Sequence, residues 1–392
     1  MSQRLRHSRG VTLIEMMVGL VVGLLAVLVI AQALSFTEGQ KRTTITGTDA
    51  QVNGALALHA VSRDVQMAGY GLTNSASALG CEIRASNDSG ATTQTLPLAP
   101  VVITDGANGA PDTIQILDSN KPYAVPYRVT EDHPRTAANF FLGSALGIAV
   151  GDLMLAVPAT IDANNWCTLF NVTGANGNGS SSGNGNGNGS GNGGNGNGQG
   201  QNQIIHNSGS SGVWNQPGGQ TLFPAAGYPA GSYLVNLGQF VQRLYAIQNE
   251  SLTLTTRLWS TQVTAPPPDN LFPDIVQLQA MYGKDTNNDG VIDTWDNTTP
   301  LTNDNAAWKQ VLAVRIALVA RSDTFEKTEV TTANPLWDVG KGVTVNDNTL
   351  VDCNQSKCIA LDVGAGVAGD ARHYRYKVFD IIVPLRNMLW KS

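Results

Sequence analysis

What this 392-residue chain lacks narrows it first. Charged residues make up only 14% of it, and the net charge is −6. No basic run follows the first nine residues, so the electrostatic footprint of a nucleic-acid binder is missing. There is no recognisable catalytic set, and an enzyme is not expected. The five histidines (His7, His59, His133, His206, His373) are scattered and fall in no metal-ligand spacing. His133, in Glu131-Asp132-His133-Pro134, reads as an exposed turn. Trp214 and Trp295 read as local packing rather than ligand platforms. Cysteine is limited to four residues, which fits disulfides in an oxidising compartment. Glycine is plentiful by contrast, at 42 residues, and suits a loop-rich β protein outside the cytosol.

Charge is absent altogether from Met16 to Ala31, an apolar run that tails off through Gln32, Ala33 and Leu34. As a helix, Met16–Leu34 is roughly 28 Å long, enough to span hydrocarbon. Gly19-Leu20-Val21-Val22-Gly23 carries the small-xxx-small spacing of close helix approach, a weak signal in a membrane helix. A short basic leader (Arg4, Arg6, His7, Arg9) precedes the run, and removing residues 1–10 loses three Arg, taking the side-chain charge from −6 to −9. One acid, Glu15, stands at the head of the run, where a carboxylate in hydrocarbon costs roughly 2.5–3.5 kcal/mol and tends to mark function. Val11 and Glu15 are an i,i+4 pair, about one helical turn apart. An amine at Val11 and the Glu15 carboxylate can neutralise each other, within a chain or between neighbours.

An ordinary signal peptide is cut after its apolar run, and Ala31-Gln32-Ala33 offers such a site. That reading releases a soluble protein but leaves Thr12-Leu13-Ile14-Glu15 unexplained. Arg9-Gly10-Val11-Thr12-Leu13-Ile14-Glu15 instead resembles the leader junction of type IV prepilins and pseudopilins. The resemblance implies that a prepilin peptidase cuts after Gly10 and methylates Val11, and that the helix is retained. It also implies that Glu15 meets the N-terminus of the adjacent subunit and sets its axial position. Such pilins often carry a proline where Gln32 stands here, and its absence weighs against a major, stretchable subunit.

From Ser35 to Ala68 the chain reads as one helix continuing out of the membrane, with Val52, Leu56, Ala60, Val61, Val65 and Ala68 on its apolar face. Gly69-Tyr70-Gly71 ends it. The stretch Ala55–Leu58 through Gly71, and the closing Val383-Pro384-Leu385-Arg386-Asn387-Met388, resemble the PilW family of minor pilins. For Arg63 and Asp64 a structural role and a solvated helix face stand as equal readings. Beyond Leu72 come short strands between turn residues: Pro100–Thr104, Thr113–Leu117, Val125–Thr130, Leu153–Val157, Val276–Tyr282, Val311–Ala320 and Tyr374–Val383. Gln239–Ile247 and Ser251–Leu258 form a hairpin. Gly174–Gln203, nearly pure Gly, Asn and Ser, cannot offset its ordering entropy and reads as a mobile loop. Its G-x-S-x-G (residues 179–183) and G-x-G-x-x-G (residues 191–196) matches have no strand–helix context and are chance. So is any weight on the sequon Asn171-Val172-Thr173.

The strongest internal motif runs from Asp285 to Asp296. Side-chain oxygens of Asp285, Asn287, Asp289, Asp293 and Asp296 fall at positions one, three, five, nine and twelve of an EF-hand-type loop. Gly290 provides the turn and Val291 the carbonyl of position seven. A hard cation wants six to eight oxygens, so Ca²⁺ is the expected ligand. Position twelve is Asp, and the flanks do not read as helices. A calcium-stapled loop between strands is expected, with a metal-free acidic turn as the alternative. Cys353 and Cys358 read as a local disulfide with Cys81 and Cys167 left as the second pair, although four cysteines allow three pairings.

Together these readings give an α+β, type IV pilin-like fold, with a long N-terminal helix on an antiparallel sheet that carries large loop insertions. The layout is leader 1–10, membrane half of the helix 11–34, amphipathic half 35–70, and head 71–392. The resemblance implies a minor pilin at the bacterial inner membrane, later at the pilus tip. Its partners would be prepilin peptidase, other minor and major pilins, and a tip adhesin. A minor pseudopilin of a type II secretion system and a secreted calcium-binding adhesion module are the alternatives.

Overall fold

A computed structural model describes residues 10–72, 76–87, 93–121, 126–176, 202–207, 212–215, 222–345, 350–364 and 369–389. The leader up to Arg9, both glycine-motif matches and most of the Gly/Asn tract lie outside the described residues. The dominant element is α1, a single helix of 55 residues from Leu13 to Met67, about 80 Å long at 1.5 Å per residue. Its stretch Leu13–Glu38 is apolar and long enough to cross a membrane, and none of it is buried against the rest of the protein.

The second half of α1 packs on the head through small side chains. Ala50, Gly54, Ala57, Val61, Val65 and Ala68 are buried at steps of three and four, one face of a helix. This corrects the expected stripe: Val52 and Leu56 are 50% and 51% exposed. The reason is the closeness of the sheet. A Cβ on Gly54 would overlap the Phe379 ring, so the inward face is the one with the least bulk. At its end, the Asn387 side-chain amide donates to the carbonyls of Ala68 (2.8 Å) and Met67 (3.3 Å). These are carbonyls that a helix terminus leaves without an internal partner. Gly69 and Gly71 adopt positive φ (75° and 71°) and turn the chain away.

Two five-stranded sheets hold this helix. One runs in the order Asp269–Pro273, Ser251–Leu258, Phe240–Gln248, Thr113–Ser119, Val101–Thr104. The other runs Val343–Thr344, Thr294–Asp296, Ile275–Lys284, Val311–Arg321, Tyr376–Pro384. The hairpin between Phe240–Gln248 and Ser251–Leu258 turns on Asn249 and Glu250, both at positive φ (49° and 57°), as a two-residue loop that follows strand twist requires. Ile114, Ile116, Leu278, Val314, Ile316, Leu318 and Val383 meet the helix face in one core. The second sheet is covered on its other side by three strands, Leu336–Gly340, Ser356–Ala360 and Leu350–Cys353. Trp337, Val339 and Ile359 there pack on Met281, Ala317 and Val319. Val311–Arg321 is therefore buried on both faces.

Residues 82–237 build most of a second lobe. Its six-stranded sheet runs Gln94–Pro97, Glu82–Ala85, Cys167–Asn171, Leu153–Val157, Tyr233–Asn236, Tyr127–Arg128. Leu153–Val157 and Cys167–Asn171 are buried at every position. They lie between one cluster around Trp214, Phe240 and Trp259 and another around Phe140, Phe170 and Phe223. A three-stranded sheet, Asn139–Phe141, Gln203–Ile205, Gly174–Asn176, lies beside it. The ends of the tract expected to be loop are thus paired strands. His133 is not an exposed turn residue: it is 2% exposed, its backbone bridged to Tyr228 and its ring stacked on Phe140 at 3.7 Å. The turn at Pro134 stays outside while the imidazole points in. Among the described residues the head therefore contains five sheets rather than one, with parallel pairing at Glu82–Ala85/Cys167–Asn171 and Thr294–Asp296/Val343–Thr344.

Candidate functional site

The N-terminus of α1 is capped by a capping box. Thr12 is the N-cap, with φ −76° and ψ 152°. The Glu15 amide donates to Thr12 Oγ1 (3.3 Å), and Glu15 Oε2 accepts from the Thr12 amide (3.0 Å) and hydroxyl (3.1 Å). Such a box satisfies two of the donors that a helix start leaves open. Thr12 was not among the residues singled out from sequence, although Thr-x-x-Glu is the signature of this cap. Gly10 and Val11 precede the helix in exposed, non-helical backbone. Cleavage between them would leave an amine one residue ahead of the cap. The acid is held at the helix tip, where the dipole also favours negative charge.

The head end of α1 is fastened by ionic contacts. Asp64 accepts from the Tyr245 hydroxyl at 2.8 Å and lies 3.6 Å from Arg243 Nε. Arg243 also binds Asp118 on the strand Thr113–Ser119. Burial raises the Asp118 carboxyl above its usual range even with Arg243 beside it. The two readings of Asp64 are thereby resolved: it is a fastener between helix and sheet. Arg63 is exposed.

In the acidic loop the expected ligands are linked mainly through backbone amides. Asp285 accepts from the amides of Asp289 (3.1 Å) and Gly290 (2.8 Å). Asp289 accepts from the Val291 amide (2.8 Å), and Asp293 from the Thr286 amide (2.7 Å). The Asn287 side-chain nitrogen stands 3.2 Å from both Asp289 Oδ2 and Asp293 Oδ1, so two carboxylates already aim at one electropositive centre. Hydrogen bonds from Thr286 hold the Asp293 carboxyl below its ordinary value. Asn288 and Gly290 take the positive φ (61° and 86°) that the sharp turn needs. This donor set fits a hard cation. Asp296 does not join it. It sits in the strand Thr294–Asp296, bound to Lys284 Nζ at 2.7 Å and to the Thr298 amide at 2.8 Å. No EF-hand helices flank the loop, which joins Ile275–Lys284 to Thr294–Asp296.

Both disulfides are formed. Cys81 pairs with Cys167 across 86 positions, and Cys353 with Cys358 across five. The first ties Glu82–Ala85 to Cys167–Asn171, and the second closes the hairpin Leu350–Cys353/Ser356–Ala360. Asp338 lies beside the second bridge, but its sulfurs are spent on each other. His373 stacks on Phe325 at 4.5 Å and its Nδ1 meets the Glu326 carbonyl, away from the cysteines. Trp214 is buried and its indole donates to the Trp259 carbonyl.

Comparison with known proteins now bears on this geometry. Residues 5–31 match the model of the prokaryotic N-terminal methylation motif, and residues 244–387 match that of type IV pilus-assembly protein W. The chain thus carries a PilW-type domain behind a prepilin-type methylation motif. The PilW match takes in Tyr245, the strands Val311–Arg321 and Tyr376–Pro384, and Asn387: the elements against which α1 docks. Residues 32–243, with the whole second lobe, lie between the two matches. Among solved structures, a type IV-like pilin from Thermus thermophilus is similar at 15% identity with a TM-score of 0.23. That likeness covers 39% of this chain and 71% of the other. No curated protein matches.

Proposed function

We propose that this PilW-family protein is a minor pilin that helps to assemble a type IV pilus, priming the tip complex together with other minor pilins. The observation that carries the reading is the prepilin motif, with its capped Glu15, at the head of an uncovered apolar helix that runs unbroken into a PilW-type head. In this reading prepilin peptidase cuts after Gly10 and Val11 becomes a methylated N-terminus. Until assembly the helix rests in the inner membrane with its head in the periplasm. Apolar helices then pack side by side. The Glu15 carboxylate meets the Val11 amine of a neighbour, which offsets the cost of a charge in hydrocarbon. The head presents a surface to partner pilins and to a tip adhesin. No bond chemistry by this chain is involved.

Glu15→Val tests the assembly role. The variant is expected to insert normally, yet to be missing from sheared pili and from crosslinks to other subunits. Normal incorporation would overturn the role. The mass of the mature N-terminus tests processing, with methylated Val11 expected and a start at Leu34 fatal to the reading. Deletion is expected to abolish surface pili and twitching while secretion continues. The reverse pattern points to a type II pseudopilus, which shares the methylated leader.

We also infer that Asp285, Asn287, Asp289 and Asp293 hold Ca²⁺, with a carbonyl contributed at Val291. Support comes from the spacing of the oxygen side chains, the two carboxylates that share the Asn287 amide, and the positive-φ turn. The cation would supply charge neutralisation that staples the loop, in the roughly 10⁻⁴–10⁻³ M range of extracellular modules.

A further inference from the structure

In the second lobe two histidines meet out of reach of water. His133 and His206 are 2% and 6% exposed, with their Nε2 atoms 2.9 Å apart. That contact needs one proton between two neutral rings, one Nε2–H donating to the other's lone pair. Phe140, Phe170, Phe223 and Tyr228 surround the pair, with Phe140 stacked on His133 and the others at 5.0–6.4 Å from one ring or another. His133 Nδ1 has no well-aligned partner, so an added proton would land there and create an imidazolium among aromatic rings.

No acid stands ready to receive that charge. The strands Asn139–Phe141, Cys167–Asn171 and Gln203–Ile205 and the segment 222–229 carry no charged residue. On the turn that holds His133, Asp132 accepts from the Ala230 amide (2.8 Å), while Glu131 is exposed and Arg135 half-buried. Tyr228 turns its hydroxyl to Thr168 (2.7 Å). Arg84 stacks over Trp166 at 3.6 Å. Burial pushes both imidazoles below their ordinary 6.5, His133 to about 4 and His206, facing His133, to about 3; the backbone around His133 and Ala137 offsets only part of this.

The position of the pair is what gives it consequence. Gly174–Asn176 and Gln203–Ile205 are the two arms at the base of the Gly/Asn tract, paired Gly174 to Ile205 and Asn176 to Gln203. His206 follows the second arm directly. Its amide donates to the Ala138 carbonyl (2.9 Å), and the Thr173 amide to the Ile205 carbonyl (2.8 Å). The only side-chain hydrogen bond that His206 makes among the described contacts is the one to His133.

We propose that the His133–His206 pair is an acid-released clasp, holding the paired strands Gly174–Asn176 and Gln203–Ile205 to the aromatic lobe while both rings are neutral and letting them open when either is protonated. A histidine whose pKa falls on folding binds its proton better in the open form. Closure is therefore complete above the ordinary value of 6.5 and weakens as pH falls toward about 4. One titrating ring changes the opening equilibrium about tenfold per pH unit in that window.

Hydrogen–deuterium exchange of the full-length protein in detergent tests this, with labelling times scaled to the intrinsic rate at each pH. Peptides spanning residues 172–176 and 203–206 are expected to lose about tenfold protection per pH unit below 6, while Val311–Arg321 keeps its own. The double variant His133→Phe with His206→Leu is expected to remove that dependence. Equal protection of these strands at pH 7 and pH 4.5 overturns the clasp, as does the same pH dependence in the folded double variant. If the double variant does not fold, the wild-type titration decides alone. Loss confined to these strands supports the clasp, and loss spread equally over the core overturns it.

Discussion

The two halves of the head are stabilised by different means. The helix-bearing half uses long strands of eight to eleven residues, Phe240–Gln248, Ser251–Leu258, Ile275–Lys284, Val311–Arg321 and Tyr376–Pro384. They share one apolar core with α1. The second lobe uses strands of two to five residues. Short strands bury little surface each, and what holds them is a long-range covalent tie and a ring cluster around two histidines. The family match follows the same division, since the PilW model covers most of the first half and none of residues 82–237. The contrast teaches that the part which docks the helix is built around long strands on one apolar core. The lobe is an elaboration that carries its own fastenings.

The sharpest way to break that comparison is to remove the covalent tie. Cys81 and Cys167 enclose 86 positions, a loop for which the chain-entropy model gives about 4–5 kcal/mol. Cys81→Ser with Cys167→Ser is expected to split the thermal transition, with the lobe melting first and the helix-bearing core keeping its own midpoint. A single shifted transition would show the halves to be one cooperative unit. Cys353→Ser with Cys358→Ser, closing five positions, is expected to cost only about 2 kcal/mol on the same model.

A second test loosens the core instead. Arg243→Met leaves Asp118 buried without its cation and leaves Asp64 held to the sheet by the Tyr245 hydroxyl alone. A broken, largely buried pair of this kind costs about 3 kcal/mol. Denaturant titration should show the loss, and exchange should rise in residues 61–68 while the lobe stays protected. Unchanged exchange in the helix would mean that packing alone docks it. Gly54→Val comes next. It forces the helix away from Phe379 and is expected to cost about 2 kcal/mol, as overpacking does. The smallest effect belongs to the acidic loop. Chelation of Ca²⁺ held at ten times its Kd removes about 1.4 kcal/mol, roughly 3–5 °C in Tm for a domain of this size. An unmoved Tm after excess EDTA would refute the metal.

Much of the first half was legible in the sequence, because it is written in long periods. Uncharged residues from Met16 to Ala31 mark the helix, and alternation about Arg315 marks a central strand. Asn249-Glu250 marks a two-residue turn. The second lobe resisted reading for the opposite reason. Glu82–Ala85 and Cys167–Asn171 are too short to show a period, and the latter, buried on both faces, has no alternation to show. His133 was misplaced because its neighbours Glu131, Asp132 and Pro134 carry every sign of an exposed turn, and only tertiary packing turns the ring inward. Val52 and Leu56 misled in another way. Hydrophobicity pointed to them, but proximity to Phe379 selects the small face of Ala50, Gly54 and Ala57. In the acidic loop, spacing picked out a run of oxygen side chains, yet it had no means of knowing that Lys284 claims Asp296.

Asn387 closes the last turn of a helix that ends 320 positions earlier. Such an arrangement orders events in time. The rod is translated ahead of the head and can enter the lipid at once, but the Ala68 carbonyl waits for a residue made 319 positions later. Until that residue arrives the foot of the shaft stays open, and it is the folding of the head that seals it.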